Sequence, residues 1–231
     1  MAFLQGTGGD EFYRNLYLHF NFITMPAGYI AMSMFVIFML ASDLSEEMKG
    51  IAIRDHLTGL LNRRGFNESG DRAYAFASRN KTPLSIIMTD IDRFKFINDK
   101  FGHAAGDVAL RHFAQLITES RRGEDIVARV GGEEFALLLP GTDLRDAMAI
   151  ADQLCNKIGS TPLEITGTEL PMTSSFGVAA ITEKDKSLDD VVRRADRALY
   201  RSKRAGRNQV DLESSQLMRA ADGTLVPVSS S

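Results

Sequence analysis

At residues 131–135 the chain reads Gly-Gly-Glu-Glu-Phe, with Asp-Ile-Val-Ala-Arg-Val before it and Ala-Leu-Leu-Leu-Pro after it. Two apolar runs joined by a short acidic glycine turn predict a β-hairpin whose tip presents carboxylates. Glycine at the tip permits positive φ and the close approach of a large anionic ligand, and Glu133 and Glu134 suit a metal ion held against phosphates. The chain also spells Gly-Gly-Asp-Glu-Phe at residues 8–12. No strand-like run precedes that copy, and Tyr13-Arg14-Asn15-Leu16 leads into a long apolar stretch, so it is expected to be a loop without chemistry.

From residue 15 to residue 42 there is no Asp, Glu, Lys or Arg, and residues 27–41 are almost wholly apolar on every face. A helix apolar all round suits lipid better than a one-sided core. Spanning a bilayer takes about 20 residues, which residues 20–41 supply at the cost of Asn21, Thr24 and Pro26. The expectation is a membrane segment over residues 1–42 with a transmembrane helix at 20–41. A buried soluble helix stays open as the rival, because Pro26 and Asn21 interrupt the run. A secretory signal would need a basic start and a small-residue cleavage site, and neither is evident. With 231 residues and 44% hydrophobic content, the rest of the chain can bury one good core. A net charge of -3 gives no electrostatic case for nucleic acid. The single cysteine, Cys155, excludes an internal disulfide and a multi-cysteine zinc site. It shares helical spacing with Leu144, Met148, Ala151 and Ile158, which predicts a small core residue.

Residues 43–54 are polar, with Leu44, Met48 and Ile51 spaced for a short connector helix. Beyond them, residues 55–212 alternate helix and strand signals around the hairpin. Helices are expected over residues 65–80, 94–100, 104–121, 144–158 and 188–202, and strands over 83–90, 172–181 and 208–212. This pattern implies an α/β domain with helices packed on a mixed sheet. Residues 213–231 have little apolar periodicity and end in three serines, so disorder is expected there.

Three local clusters carry candidate chemistry. Period two puts Asp90 and Asp92 on one side of a strand end, where Asp90 with Glu133 would make an oxygen site for magnesium. The same pair of aspartates also fits a solvated strand end or a helix cap. Asn98 and Asp107 flank a glycine turn, and an amide with a carboxylate matches the donor and acceptor edge of guanine. Helix capping explains those two residues as well. Lys203 and Arg207 could neutralise a triphosphate, or merely complement a helix dipole.

The order Asp-x-Leu-Thr-Gly-Leu-x-Asn-Arg-Arg, Asp-Ile-Asp-x-Phe-Lys-x-Ile-Asn-Asp-x-x-Gly-His-x-x-Gly-Asp, Arg-x-Gly-Gly-Glu-Glu-Phe and Ala-Asp-x-Ala-Leu-Tyr-x-x-Lys-x-x-Gly-Arg-Asn resembles the GGDEF family of diguanylate cyclases, in its GGEEF variant. The resemblance covers about residues 51–212 and implies a palm-like α/β fold. Its sheet would be mixed but mainly antiparallel and flanked by helices, related to nucleotidyl cyclase and polymerase palms. It implies condensation of two GTP into cyclic di-GMP and two pyrophosphates, across a homodimer, with magnesium or manganese as cofactor. By position, Asp90, the Ile91 carbonyl and Glu133 resemble the metal ligands, with Glu134 either a further ligand or only a support for the turn, and Glu133 resembles the base. Asn98 and Asp107 resemble the guanine readers, His103 a lesser substrate contact, Leu110 a pocket wall, and Lys203 and Arg207 the phosphate contacts. Arg122 and Asp125 match the family's Arg-x-x-Asp site for inhibition by the product, against the plainer alternative of a helix-ending arginine beside a strand-starting aspartate. The expected partners are GTP, cyclic di-GMP, a second copy and the membrane, without nucleic acid. The expected place is the inner cell membrane, with the catalytic domain in the cytoplasm. The alternative is a catalytically silent domain of the same family that binds nucleotide or a partner.

Overall fold

The structure, a computed structural model, describes residues 7–51, 53–165, 167–213, 217–219 and 225–227. The chain divides into two compact units, Met1–Ala52 and Ile53–Ser231. In the first, helix α1 (Thr7–His19) passes through a π turn at Phe20–Thr24 into helix α2 (Met25–Ile51). Proline at position 26 lacks an N–H and its ring crowds the carbonyl four residues back, so the ladder needs a local adjustment. It takes the π form, in which the Met25 N–H reaches the Phe20 carbonyl. The stretch Gly9–Leu40 is long and apolar enough to cross a bilayer, and none of its most apolar window is buried within the protein. The Gly-Gly-Asp-Glu-Phe string at residues 8–12 is helical rather than a loop. With no flanking strand to hold a turn, its backbone closes hydrogen bonds locally. The connector expected over residues 43–54 continues α2 to Ile51, and residue 52 lies outside the described residues.

The second unit is built on a five-stranded sheet in the order β2-β3-β1-β6-β7. Its strands are β1 (Leu84–Ile91), β2 (Ile126–Arg129), β3 (Glu134–Pro140), β6 (Ser174–Ala180) and β7 (Val210–Glu213). All neighbours pair antiparallel except β6 with β7. Helices α3 (Arg63–Asn80), α4 (Phe94–Phe101), α5 (His103–Ser120), α6 (Leu144–Ser160) and α7 (Leu188–Arg204) complete the fold. Every residue of β1 is buried, Ser85, Thr89 and Asp90 included, because a central strand covered on both faces has no solvent side, and its apolar residues Leu84, Ile86, Ile87, Met88 and Ile91 fall on both faces. On one face Ile87, Leu137 and Val178 join Phe113 and Ile117 of α5 and Leu154 of α6. On the other, Ile86, Leu138 and Ala179 join Phe66 of α3 and Val191 and Leu199 of α7. The expected α/β fold with a mixed, mainly antiparallel sheet is the one observed.

Two short ladders lie outside the expected elements. Strands β4 (Leu163–Ile165) and β5 (Thr168–Leu170) form a hairpin turned at Gly167, whose φ is +76°. Strands this short have too few positions to show alternation. In the tail expected to be disordered, Leu217–Arg219 (β8) and Leu225–Pro227 (β9) pair antiparallel, and residues 214–216, 220–224 and 228–231 lie outside the described residues.

Helix α7 packs against β6 at backbone distance. A Cβ on Gly177 would stand 2.2 Å from the Ala195 carbonyl oxygen and 2.2 Å from the Leu199 amide nitrogen, neither of which can rotate away. Gly177→Ala is therefore expected to cost about 3 kcal/mol or more, read as a drop in the urea midpoint of unfolding.

Candidate active site

Strand pairing brings the first acids together. Asp90 stands opposite Glu134 in the β1–β3 register, and the Ile91 amide donates to the Glu133 carbonyl at 3.2 Å. The hairpin tip therefore lies beside the end of β1. Its turn closes as the Val130 and Gly131 amides donate to the Glu134 carbonyl at 2.9 and 3.2 Å. Neither Gly131 nor Gly132 adopts the expected positive φ. A Cβ at position 131 would meet Glu134 instead: the carboxylate oxygen Oε2 at 2.3 Å can swing aside, whereas the Glu134 Cβ at 3.1 Å is a tight contact close to the backbone.

An arginine holds the tip from below. Arg129 Nη2 donates to the Gly132 carbonyl at 2.7 Å, and its Nη1 donates to both Asp55 carboxylate oxygens at 3.2 Å. Asp55 also accepts from the Thr58 amide at 2.9 Å and the Thr58 hydroxyl at 2.7 Å. Burial works against its charged form, yet Thr58 and Arg129 outweigh burial and hold the carboxyl below its ordinary range. Arg63 Nε donates to the Val130 carbonyl at 2.8 Å, so the segment before and into α3 is fastened to the hairpin twice. The strings that contain Asp55, Arg63 and Arg129 are legible in sequence, but nothing in them announces contact across 74 positions.

The Asp90 carboxylate is 4% exposed and is pushed up to about 6, by burial first and then by Glu133 and Glu134, with Lys203 opposing. Lys203 Nζ, on the last turn of α7, lies 2.7 Å from Asp90 Oδ2. Glu133 is raised by burial and by Glu134, against the pull of Lys203. Burial and neighbouring acids thus disfavour the charged form of both carboxyls, and a cation beside them would favour it. The structure brings Asp90, Glu133 and Lys203 together, with Lys203 paired to Asp90, whereas the sequence sets Lys203 beside Arg207 for the phosphates. Glu134 lines a cavity of about 390 Å³ on the α3 and α7 side, with Arg63, Asp196 and Lys203.

Among the described residues no three His, Cys, Asp or Glu side chains form a ready-made metal cage. Two carboxylates and the neighbouring backbone match magnesium, which binds through one or two carboxylates and takes its remaining ligands from water and substrate phosphates. Asp92, the other half of the Asp-x-Asp pair, has a different place. It is 7% exposed and accepts from Thr173 Oγ1 at 2.9 Å, Ser175 Oγ at 2.7 Å and the Asn208 amide at 3.0 Å. It anchors the turn Gly206-Arg207-Asn208, whose φ values are +124°, +67° and +46°. That turn carries Arg207, which is exposed.

Asn98 lies in α4 and Asp107 in α5, joined by the sharp turn at Gly102 with φ +84° and ψ 163°. Neither side chain caps a helix: the residue at the start of α5 is Gly102, without a side-chain cap. Asn98 is half-buried and Asp107 exposed, with His103 exposed and Leu110 in the core at 3%. Arg122 is exposed, while Asp125 is buried and accepts from the Arg122 amide through Oδ2 at 2.7 Å. Burial leads in raising the Asp125 carboxyl.

The raised carboxyl of Asp90 has a consequence for stability. Its neutral form stabilises the fold fully below its ordinary value of 3.8, and that contribution is lost as pH climbs through about 6. In the metal-free chain, Asp90→Asn is expected to raise the unfolding free energy at pH 7 by about 1–2 kcal/mol after solvent screening. In urea titrations at a series of pH values, that gain should shrink toward zero near pH 4.

A family model described as "Diguanylate cyclase, GGDEF domain" matches residues 52–209. Diguanylate cyclase DgcP of Pseudomonas aeruginosa is 40% identical over 167 residues, covering 72% of this chain and 25% of that protein. Diguanylate cyclase A of Treponema denticola is 40% identical over 154 residues, covering 67% of this chain and 39% of the relative. The chain thus spans well under half the length of these curated relatives. Among solved structures, the GGDEF domain of DgcB from Caulobacter crescentus in complex with c-di-GMP superposes with a TM-score of 0.68 at 36% identity, covering 71% of this chain and 94% of that one. The active GGEEF domain of a diguanylate cyclase from Vibrio cholerae gives 0.64 at 36% identity, covering 67% and 98%. With a matched sheet, matched helices and the family's motifs in order, the chain belongs to the GGDEF diguanylate cyclase family.

Proposed function

We propose that this chain is a membrane-anchored diguanylate cyclase that condenses two GTP molecules into cyclic di-GMP and two pyrophosphates. The observation that carries the reading is the meeting of Asp90, Glu133 and Lys203 where the end of β1, the hairpin tip and the last turn of α7 converge. Each protomer binds one GTP. Asn98 and Asp107 receive the guanine edge, with His103 and Leu110 beside the substrate, and Lys203 and Arg207 hold the phosphates. Asp90, the Ile91 carbonyl, Glu133 and Glu134 are the candidate ligands for magnesium, or manganese in its place. A bound divalent cation would supply positive charge against the negative charge that develops on the phosphates in the transition state.

The reaction requires two copies facing each other. The ribose 3'-oxygen of one GTP attacks the α-phosphorus of the other, the bond from that phosphorus to the bridging oxygen of the β-phosphate breaks, and pyrophosphate leaves. Glu133 takes the 3'-hydroxyl proton. Its carboxylate, raised by burial and by Glu134, is a stronger base than an exposed glutamate. The same exchange in the opposite sense closes the ring. Lys203 then has two calls on its charge, Asp90 and the incoming phosphates, so substrate entry redistributes an existing ion pair rather than burying a new cation.

The apolar helix over Gly9–Leu40 supports a bilayer anchor, and the supply of GTP puts the catalytic unit on the cytoplasmic side of the inner membrane. Tethering two copies raises their effective concentration and gives their alignment to the membrane segment. Arg122 and Asp125 are the candidate site at which product slows turnover. Exposure of Arg122 supports that role, while the bond from its amide to Asp125 leaves one carboxylate oxygen, Oδ1, for a ligand.

The detergent-purified 231-residue chain, incubated with GTP and magnesium, is expected to yield cyclic di-GMP by chromatography. Glu133→Ala should lower the rate by about 100-fold or more. Nucleotide binding without product from the unmodified chain would instead establish a silent domain. Arg122→Ala should leave the initial rate unchanged and raise product late in the time course, and a superimposable time course would remove the inhibitory site.

A further inference from the structure

Gly106 is the fourth residue of α5 and is buried, yet it is not among the glycines with positive φ. Its backbone would accept any L residue, and glycine within a helix is less favourable than alanine. The reason for its absent side chain lies on the neighbouring helix. A Cβ at position 106 would stand 2.0 Å from Asn98 Oδ1, 3.0 Å from Asn98 Cγ and 3.2 Å from Phe94 Cζ. Asn98 has only two side-chain torsions, and its backbone is committed, since its carbonyl accepts from the Gly102 amide at 2.9 Å. Its amide would have to leave its position to admit even a methyl group.

We infer that Gly106 is a positioning residue for base selection, leaving the space in which the Asn98 amide is held against the guanine edge. The inference rests on the proposed reading of Asn98 as a guanine contact. Asp107 follows immediately, so the residue that makes room for one base contact is covalently joined to the other. Asn98, whose amide N–H donates and whose partner on guanine is the 6-oxo group, is set by packing against Gly106. A methyl at position 106 displaces the amide and leaves the phosphate contacts of Lys203 and Arg207 untouched, so the loss falls on discrimination between bases. A 6-amino purine offers a donor where guanine offers an acceptor, and is the informative competitor.

The test uses the 231-residue chain with magnesium and non-hydrolysable α,β-methylene analogues of GTP and ATP, comparing Gly106→Ala, Asn98→Ala and the double variant by calorimetry. The expected result is about tenfold weaker binding of the GTP analogue for each single variant, unchanged binding of the ATP analogue, and a double variant no weaker than Asn98→Ala alone. With active enzyme the same change should appear in KM for GTP more than in kcat. Wild-type affinity in Gly106→Ala, an additive double variant, or equal losses for both nucleotides would each overturn the inference. If Asn98→Ala itself binds the GTP analogue normally, the guanine reading fails and this inference with it. Should Gly106→Ala not fold, the double variant, which lacks the obstructing amide, must fold and bind as Asn98→Ala does. Its failure to fold would assign Gly106 to packing alone and overturn the inference.

Discussion

The antiparallel pairing of β1 with β3 is the constraint on which the site depends. Seven register pairs run from Leu84 opposite Pro140 to Asp90 opposite Glu134, and the last backbone bond joins Ile91 to Glu133. Because side chains alternate along a strand, a slip of one residue would turn Asp90 from the α7 side to the opposite face and separate it from Lys203. Burial of β1 on both faces prevents that slip, since Ile86 and Ile87 each have a separate core to fill. The apolar packing of the sheet thus supplies the precision with which two acids, distant in sequence, meet.

That precision has an electrostatic cost. Asp90 is buried near two other acids and is relieved by one lysine. The neighbouring carboxylate, Asp92, shows how the same strand end avoids such a cost, with three donors on its two oxygens. Two aspartates two residues apart therefore divide the work: one remains under-compensated at the site, and the other ties β1 to β6 and to the turn bearing Arg207. A group that is fully satisfied by the protein has little reason to bind anything else, whereas Asp90 and Glu133, both raised by burial, are the carboxyls that a cation would favour.

Most of the fold was legible in sequence, because strong periodicity and sharp turns coincide there. The hairpin, the buried strand β1 and helices α3 to α7 follow from apolar spacing and from glycines at their ends. The β4–β5 hairpin escaped because three-residue strands carry almost no pattern. The second glycine-acid string, Gly131 to Phe135, was recognisable by its flanking runs, but the reason for its first glycine was not. Positive φ is the usual explanation for glycine in a turn, and here close approach of the Glu134 side chain takes its place. Gly106 repeats the lesson on a helix.

The sequence by itself determined most of the elements and the family, and it offered the acids, the amide and the cations as candidates, because those depend on local periodicity and on residue types at short spacing. It also determined an apolar amino-terminal helix, since 28 residues without a charged side chain leave little else for residues 15–42 to be. Only the tertiary structure decided which of two aspartates, two residues apart, faces Lys203, which arginine braces the hairpin, and what a side chain at Gly106 would meet. Those outcomes are set by contacts between segments up to 116 positions apart. Distances of that kind arise when the sheet closes and its two cores fill, and no local pattern encodes them.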